Sequence, residues 1–340
     1  MNLRAAVLSV QQPFMQILGG MYVSNKLLKM IGRRIVQSII VIFLVTLIVF
    51  LLNQMVPGDP IVNFLGPNAT EEQIAYYTQL FGYDQPVLVQ YFKWIQGLFH
   101  GEMGRSVAMQ AEISTILFQR LKVTLSIVFP AFILAVVLGV VLGIVAAKNR
   151  GTAIDSVISF FANIGMSMPM FWFGMILILI FALKLGVLPT SGFTAFNEGA
   201  GEWASHIVLP MIVLAMGPLA QFTRQTRSSM LEVIRQDYVT TARAKGISQK
   251  AITFKHQLRN AFIPIITVMG VTLGGMIGGT VLVESIFVVP GLGNLMITSI
   301  KGRDFMVVQN GVLVIAIAVA ICNLIVDILY GVIDPRIRND

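Results

Sequence analysis

The sequence predicts an all-α integral membrane protein with six crossing helices. The chain of 340 residues is 56% hydrophobic and 12% charged, with a mean hydropathy of +0.81. Soluble domains carry about 25% charged residues. Six apolar segments are long enough to cross hydrocarbon, which takes about 20 residues as a helix. Charge also alternates between the connecting segments, the pattern that orients membrane helices.

The expected crossings are Ile35–Met55, Val123–Ala147, Ser156–Leu183, Trp203–Thr223, Ala261–Val283 and Phe305–Ile333, and among Asp, Glu, Lys, Arg and His they hold only His206 and Asp327. Hydrocarbon offers backbone groups no water, so each segment must satisfy its own hydrogen bonds as a helix. Segments 1–34, 148–155, 224–260 and 334–340 hold 17 basic and 5 acidic residues; the alternate segments 56–122, 184–206 and 284–304 hold 7 and 10. This bias places both termini in the cytoplasm. It also accounts for the net charge of +8 without nucleic acid as a partner. The expected organisation is an N-terminal segment 1–34, a first crossing 35–55, an extracytoplasmic helical subdomain 56–122, a five-helix core 123–333 and a tail 334–340. The N-terminal segment shows no cleavable signal pattern; it reads as a short interfacial helix or a floppy leader.

In the outer subdomain, Thr70-Glu71-Glu72-Gln73 reads as a capping box that starts a helix ending at Gly82. Pro86 suits the first turn of a second helix reaching about Phe99. Its aromatics Tyr91, Phe92, Trp94 and Phe99 suit an interfacial anchor or a small core, with ligand stacking as the sharper alternative.

Small residues let helices approach closely in lipid, and the fifth crossing repeats glycine every four positions at Gly270, Gly274 and Gly278, and again at Gly275 and Gly279. The partner is either a helix of the same chain or a second membrane subunit at a shared pathway. Met168-Pro169 is expected to kink the third crossing. Asn163, Met166, Met168, Met170 and Phe171 pack that helix or line an adaptable cavity. Glu284 faces a pathway gate or accepts hydrogen bonds from the turn 290–293.

The segment 224–260 holds eight Lys/Arg and two Asp/Glu between two crossings. Ser229-Met230-Leu231-Glu232 reads as a capping box opening a helix through Tyr238 and Ala242 to Gly246, a suitable left-handed terminus. Ser248 opens a second helix ending near Arg259. A stiff basic helix–glycine–helix beside a membrane domain suits docking of a soluble partner. The plainer reading is inside-positive charge alone.

Several motifs carry a family resemblance. Asp237-Tyr238-Val239-Thr240-Thr241-Ala242-Arg243-Ala244-Lys245-Gly246, followed by His256-Gln257-Leu258-Arg259-Asn260-Ala261 and Pro264, resembles the coupling signature of bacterial ABC importer permeases in the dipeptide, oligopeptide and nickel branch. Only Ala242 and Gly246 match the general Glu-Ala-Ala-x-x-x-Gly letters. Pro57-Gly58-Asp59-Pro60, His100 to Gly104, Glu284 to Phe287, Pro290 to Gly293, and Asp327, Tyr330, Asp334, Pro335 and Arg336 extend the likeness over roughly residues 30–338.

The resemblance implies a type I importer permease fold in a bacterial cytoplasmic membrane. It implies a second homologous permease, two cytoplasmic ATPases that hold ATP and magnesium, and an extracytoplasmic substrate-binding protein. This chain would bind no cofactor or metal itself. The expected ATPase-coupling residues are Asp237, Tyr238, Thr241, Ala242, Arg243, Ala244, Lys245, Gly246, His256 and Arg259. Those expected along the substrate pathway are Asn163, Met166, Met168, Phe171, Gly274, Gly278 and Glu284. The expected substrate is a di- or oligopeptide, with nickel or a metal chelate as the alternative.

Other classes fit poorly. The histidines His100, His206 and His256 have no metal-ligand spacing, and no Gly-x-x-x-x-Gly-Lys-Ser/Thr sequence exists to bind a nucleotide. An ion-driven transporter usually needs buried acids as relays. Asp327 offers one, two turns from a helix end, where pairing at the interface is the simpler use. A free-standing channel would have to conduct alone.

Overall fold

The computed structural model describes residues 3–56, 60–66, 69–106 and 108–333. Within them, side chains at 3–28, 60, 63, 64, 81, 250, 254–256, 259 and 329–333 are not described. The N-terminal expectation and the motifs at 57–60 and 330–336 therefore lie outside the described side chains.

The described chain is helical. Helix α1 runs Leu3–Gln54, and α2 (Pro60–Leu65), α3 (Glu71–Phe81) and α4 (Val87–Phe99) form the subdomain after it. The core contains α5 (Ile113–Lys148), α6 (Ala153–Ser167), α7 (Met170–Leu177) and α8 (Ala200–Ile234). Next come α9 (Asp237–Ala244), α10 (Gln249–Ala251), α11 (Leu258–Ile286), α12 (Leu292–Lys301) and α13 (Phe305–Ile333). Five helices are individually long and apolar enough to cross a membrane, and the α6–α7 pair makes a sixth when counted as one broken span.

The third crossing departs from the expected kink. It bends by 106° between Ser167 and Met170. Proline disfavours helical backbone at the residue before it, and Met168 accordingly sits extended at φ −76°, ψ 126°. After Leu177 the helix widens to a π-helical turn over Ile178–Lys184.

Helices α5 and α8 form the centre of the bundle. A Cβ built on Gly139 would lie 2.7 Å from Phe222 Cβ, and one on Gly143 would lie 2.5 Å from Thr226 Cβ. Lipid supplies no hydrophobic drive between helices, so this close approach gains its energy from dispersion contacts. Phe222, Ile127, Val128 and Ala131 are fully buried in the resulting seam.

The glycine stripe of α11 serves two surroundings. Gly270 and Gly274 pack on α13, where added Cβ atoms would meet Val326 at 2.6 Å and Val319 at 3.1 Å. Gly275, Gly278 and Gly279 face open space. Arg34 of α1 pairs with Asp327 of α13 at 3.2 Å, which places that acid in an interhelical ion pair.

The helical subdomain after α1 follows its sequence signals. Thr70 Oγ1 accepts from the Gln73 N–H, Gln73 Oε1 accepts from the Thr70 N–H, and Gly82 closes α3 at φ 70°. Two of the aromatic residues of α4, Tyr91 and Trp94, build a small core against α1, while Phe92 and Phe99 are exposed. Tyr91 is buried, its hydroxyl lies 3.0 Å from Thr46 Oγ1, and its ring meets Phe50 edge-on.

Candidate functional site

The segment between α8 and α11 is a folded elbow. A 35-residue helix such as α8 is roughly 52 Å long, whereas the hydrocarbon core is about 30 Å thick. Helix α8 therefore continues well beyond the membrane. Ser229 and Glu232 lie inside it, so the expected helix start there is corrected. Ser229 is buried and its hydroxyl accepts from Gln225, one turn earlier. The chain breaks only at Arg235 and Gln236, and α9 begins at Asp237.

Helix α9 has two faces. Val239 and Ala242, three residues apart, are buried and join Ile252 and Val233 in a small apolar cluster. Tyr238, Thr241, Arg243, Ala244, Lys245 and Gly246 are exposed. Asp237 opens the helix, where its charge favours the N-terminal dipole, and its carbonyl accepts from Thr241 Oγ1. Tyr238 remains 40% exposed while its hydroxyl accepts from Asn260 of α11 at 2.9 Å. Ala242, small in a way that would suit a docking partner, instead faces inward and seats α9 on Ile252.

Gly246 terminates the helix as expected, at φ +73°. Its N–H bonds to Arg243 O, and the Ile247 N–H bonds to Ala242 O. These bonds satisfy the last carbonyls of α9. Ser248 caps α10 through the Ala251 N–H. The second helix does not stop near Arg259. It passes through a π-helical turn, Ile252–Gln257, directly into α11. The side chains of His256 and Arg259 lie outside the described set.

A charge clamp that sequence reading counted only as loop charge fixes the elbow. Asp155 at the start of α6 accepts from Arg227 Nε at 2.6 Å and Nη2 at 2.8 Å. Gly151 N–H and Ser159 Oγ complete its shell. Asp155 is 5% exposed, and such two-pronged, charge-assisted bonds are the strong ones. These residues are 72 positions apart in sequence, so no local pattern marks the pair.

The residues expected along a pathway differ in their surroundings. Asn163, Met166 and Phe171 are exposed on α6 and α7, and Met168 sits at the break between them. Gly274 is buried against α13, whereas Gly278 faces open space. Of the two uses open to Glu284, the structure shows the hydrogen-bonding one. It has no exposure, and its oxygens accept from Thr124 Oγ1 at 2.6 Å and the Asn294 N–H at 2.9 Å. Thr124 in turn accepts from the Leu292 N–H. Glu284 therefore ties α5 and α11 to the N-terminus of α12. An apolar cavity of about 320 Å³ between α5, α6 and α8 is lined by Phe161, Gly165, Met216 and Thr223 among others, and by none of the expected pathway residues. Among the described residues no group of His, Cys, Asp and Glu could hold a metal ion.

Comparisons with known proteins agree with this architecture. Residues 139–339 match the family described as binding-protein-dependent transport system inner membrane component, and residues 27–132 match its N-terminal component. A protein of Sinorhizobium fredii called "Probable peptide ABC transporter permease protein" is 41% identical over 90% of this chain and 98% of its own. The oligopeptide transport system permease protein AppB of Bacillus subtilis is 38% identical over 90% of this chain and 98% of its own. The dipeptide transport system permease protein DppB of Escherichia coli is 37% identical over 92% and 99%. A solved structure of the MetNI methionine ABC transporter in inward-facing conformations superposes with a TM-score of 0.53 at 19% identity, covering 64% of this chain and 96% of that one, a likeness of fold. With both halves of the chain matched and relatives aligned almost end to end, this protein belongs to the inner membrane components of binding-protein-dependent transport systems.

Proposed function

We propose that the chain is one permease of an ATP-driven peptide importer and that α9 is its coupling helix. One observation carries this reading. Helix α9 is fixed from behind by Val239, Ala242 and Ile252 and by the bond from Asn260 to Tyr238, while Thr241, Arg243 and Lys245 are exposed. A lever needs that combination: a free gripping face, and a rigid connection to what it moves. The connection runs through α8 on one side and α11 on the other, and both continue into the membrane.

In this reading a cytoplasmic ATPase seats α9 in a groove, and acidic groups there meet Arg243 and Lys245. ATP and magnesium are held by two such ATPase subunits, and this chain binds no cofactor. Closure of the ATPases moves α9, and the movement passes through α8 and α11 to the pathway. A second homologous permease supplies the other half of that pathway. The open face of α11 at Gly275, Gly278 and Gly279 has the smoothness such a partner requires. An extracytoplasmic binding protein delivers the substrate, and both termini lie in the cytoplasm of a bacterial cell.

A di- or oligopeptide is the substrate favoured by the names of the relatives, and a nickel or metal-chelate cargo is the alternative. The test is purification of the tagged chain in mild detergent, with mass spectrometry of whatever accompanies it. The reading expects two ATPases, a second permease and a peptide-type binding protein. Recovery of the chain alone, conducting ions by itself, would sink it.

A further inference from the structure

We propose that a polar pocket between α1, α4 and α13 binds the headgroup of a phospholipid carrying a free ammonium group. The pocket has a volume of about 300 Å³. Its lining includes two opposite charges, Lys93 and Glu102. Among the described residues neither side chain has an ion-pair or hydrogen-bond partner. Most other polar groups of the lining are already engaged. Asn53 donates to Gln309, Gln54 to Gln90, and Trp94 to Asn310. The amide network sets the shape of the pocket, and among the described residues the two charges have no partner.

A ligand that satisfies both must carry an anion and a hydrogen-bonding cation. A Lys ammonium attracts phosphate, and a carboxylate accepts from a primary ammonium. An ethanolamine phosphate headgroup presents both groups.

Depth and surroundings favour a lipid over a free zwitterion. The membrane-crossing part of α1 ends at Gln54 and that of α13 starts at Phe305, so the pocket sits at the membrane boundary. Stacked Trp94 and Phe50 border it, and aromatic side chains settle at that level. The boundary depth follows from the helix ends and is independent of sidedness. Only assignment to the outer leaflet rests on the orientation proposed above.

The test is native mass spectrometry of the assembled transporter in mild detergent with phosphatidylethanolamine, phosphatidylcholine or phosphatidylglycerol added in equal amounts. The wild type is expected to retain phosphatidylethanolamine about tenfold better than phosphatidylcholine, whose quaternary ammonium has no hydrogen to donate. E102Q should abolish that preference, and K93Q should lower retention of all three. Both side chains are exposed, so the variants should assemble normally. Equal retention of the three lipids by wild type, an unchanged preference in E102Q, or displacement of the bound lipid by dialanine would overturn the proposal. Retention in detergent does not depend on sidedness, so its failure is separate from failure of the proposed orientation.

Discussion

The Asp155 carboxylate holds the Arg227 guanidinium at two points, 2.6 Å and 2.8 Å, across 72 residues of sequence. The pair joins the start of α6 to the protruding end of α8, ten residues before α9 begins. Asp155 is nearly inaccessible, while the Arg227 side chain is 31% exposed. The clamp thus sets where the base of the elbow lies.

Asp155→Asn should cost about 2 kcal/mol of stability, the range for a hydrogen bond to a charged group. Arg227→Met should cost slightly more, because it leaves the more buried carboxylate unpaired. Removing both should cost less than the sum of the two single changes. Thermal unfolding of the four variants in detergent measures this coupling. Additive losses would mean that the two groups do not act as a pair.

Gly246→Val should impair coupling while the chain still inserts. Nothing lies within 4 Å of an added Cβ there, so the penalty comes from the backbone at φ +73° alone, about 1–2 kcal/mol for an ordinary residue. Gly246→Asn should be milder, since asparagine tolerates this conformation. ATPase stimulation in proteoliposomes should rank wild type, asparagine, valine. Equal activity in all three would remove the bend from the mechanism.

Two glycines of the core make opposite predictions. Gly143→Ala places a methyl group 2.5 Å from Thr226 Cβ and must push α5 off α8. A loss of about 1–3 kcal/mol is expected for such overpacking. Gly275→Ala meets open space in this chain and should leave the fold of the isolated chain intact. Its effect, if a second permease packs there, falls on co-purification of that subunit. Melting curves and pull-downs separate the two cases.

Thr124→Val should destabilise the end of the bundle where α5, α11 and α12 meet by about 1–3 kcal/mol, because it strips the buried Glu284 of a donor. It also removes the acceptor of the Leu292 N–H. Uptake measured across peptides of different length should fall uniformly. A change in which peptides are taken up would restore Glu284 to the pathway.

Much of this architecture was legible in residue pattern. The crossings follow from apolar length, and Gly82 and Gly246 from the conformation that ends a helix. The misreading at Ser229 has a clear cause. Ser and Glu three residues apart also fit the interior of a helix, and only the protrusion of α8 decides between the two. Pro169 was visible, but the 106° turn was not, because the angle depends on where α7 finds its packing surface. Glu284 offered two uses. Thr124, 160 residues away, selects the structural one. The Asp155–Arg227 pair and the approach of Gly139 and Gly143 to α8 depend on tertiary neighbours, which periodicity does not name.

The central claim is that α9 grips an ATPase. The direct measurement places a photo-crosslinking amino acid at Lys245, on the exposed face of α9, and at Val288, at the opposite end of α11, in the assembled transporter. The account predicts that the Lys245 probe captures an ATPase subunit, with a yield that changes on adding ATP, and that the Val288 probe captures none. Capture of an ATPase from Val288, or none from Lys245 while the complex remains assembled, would contradict it.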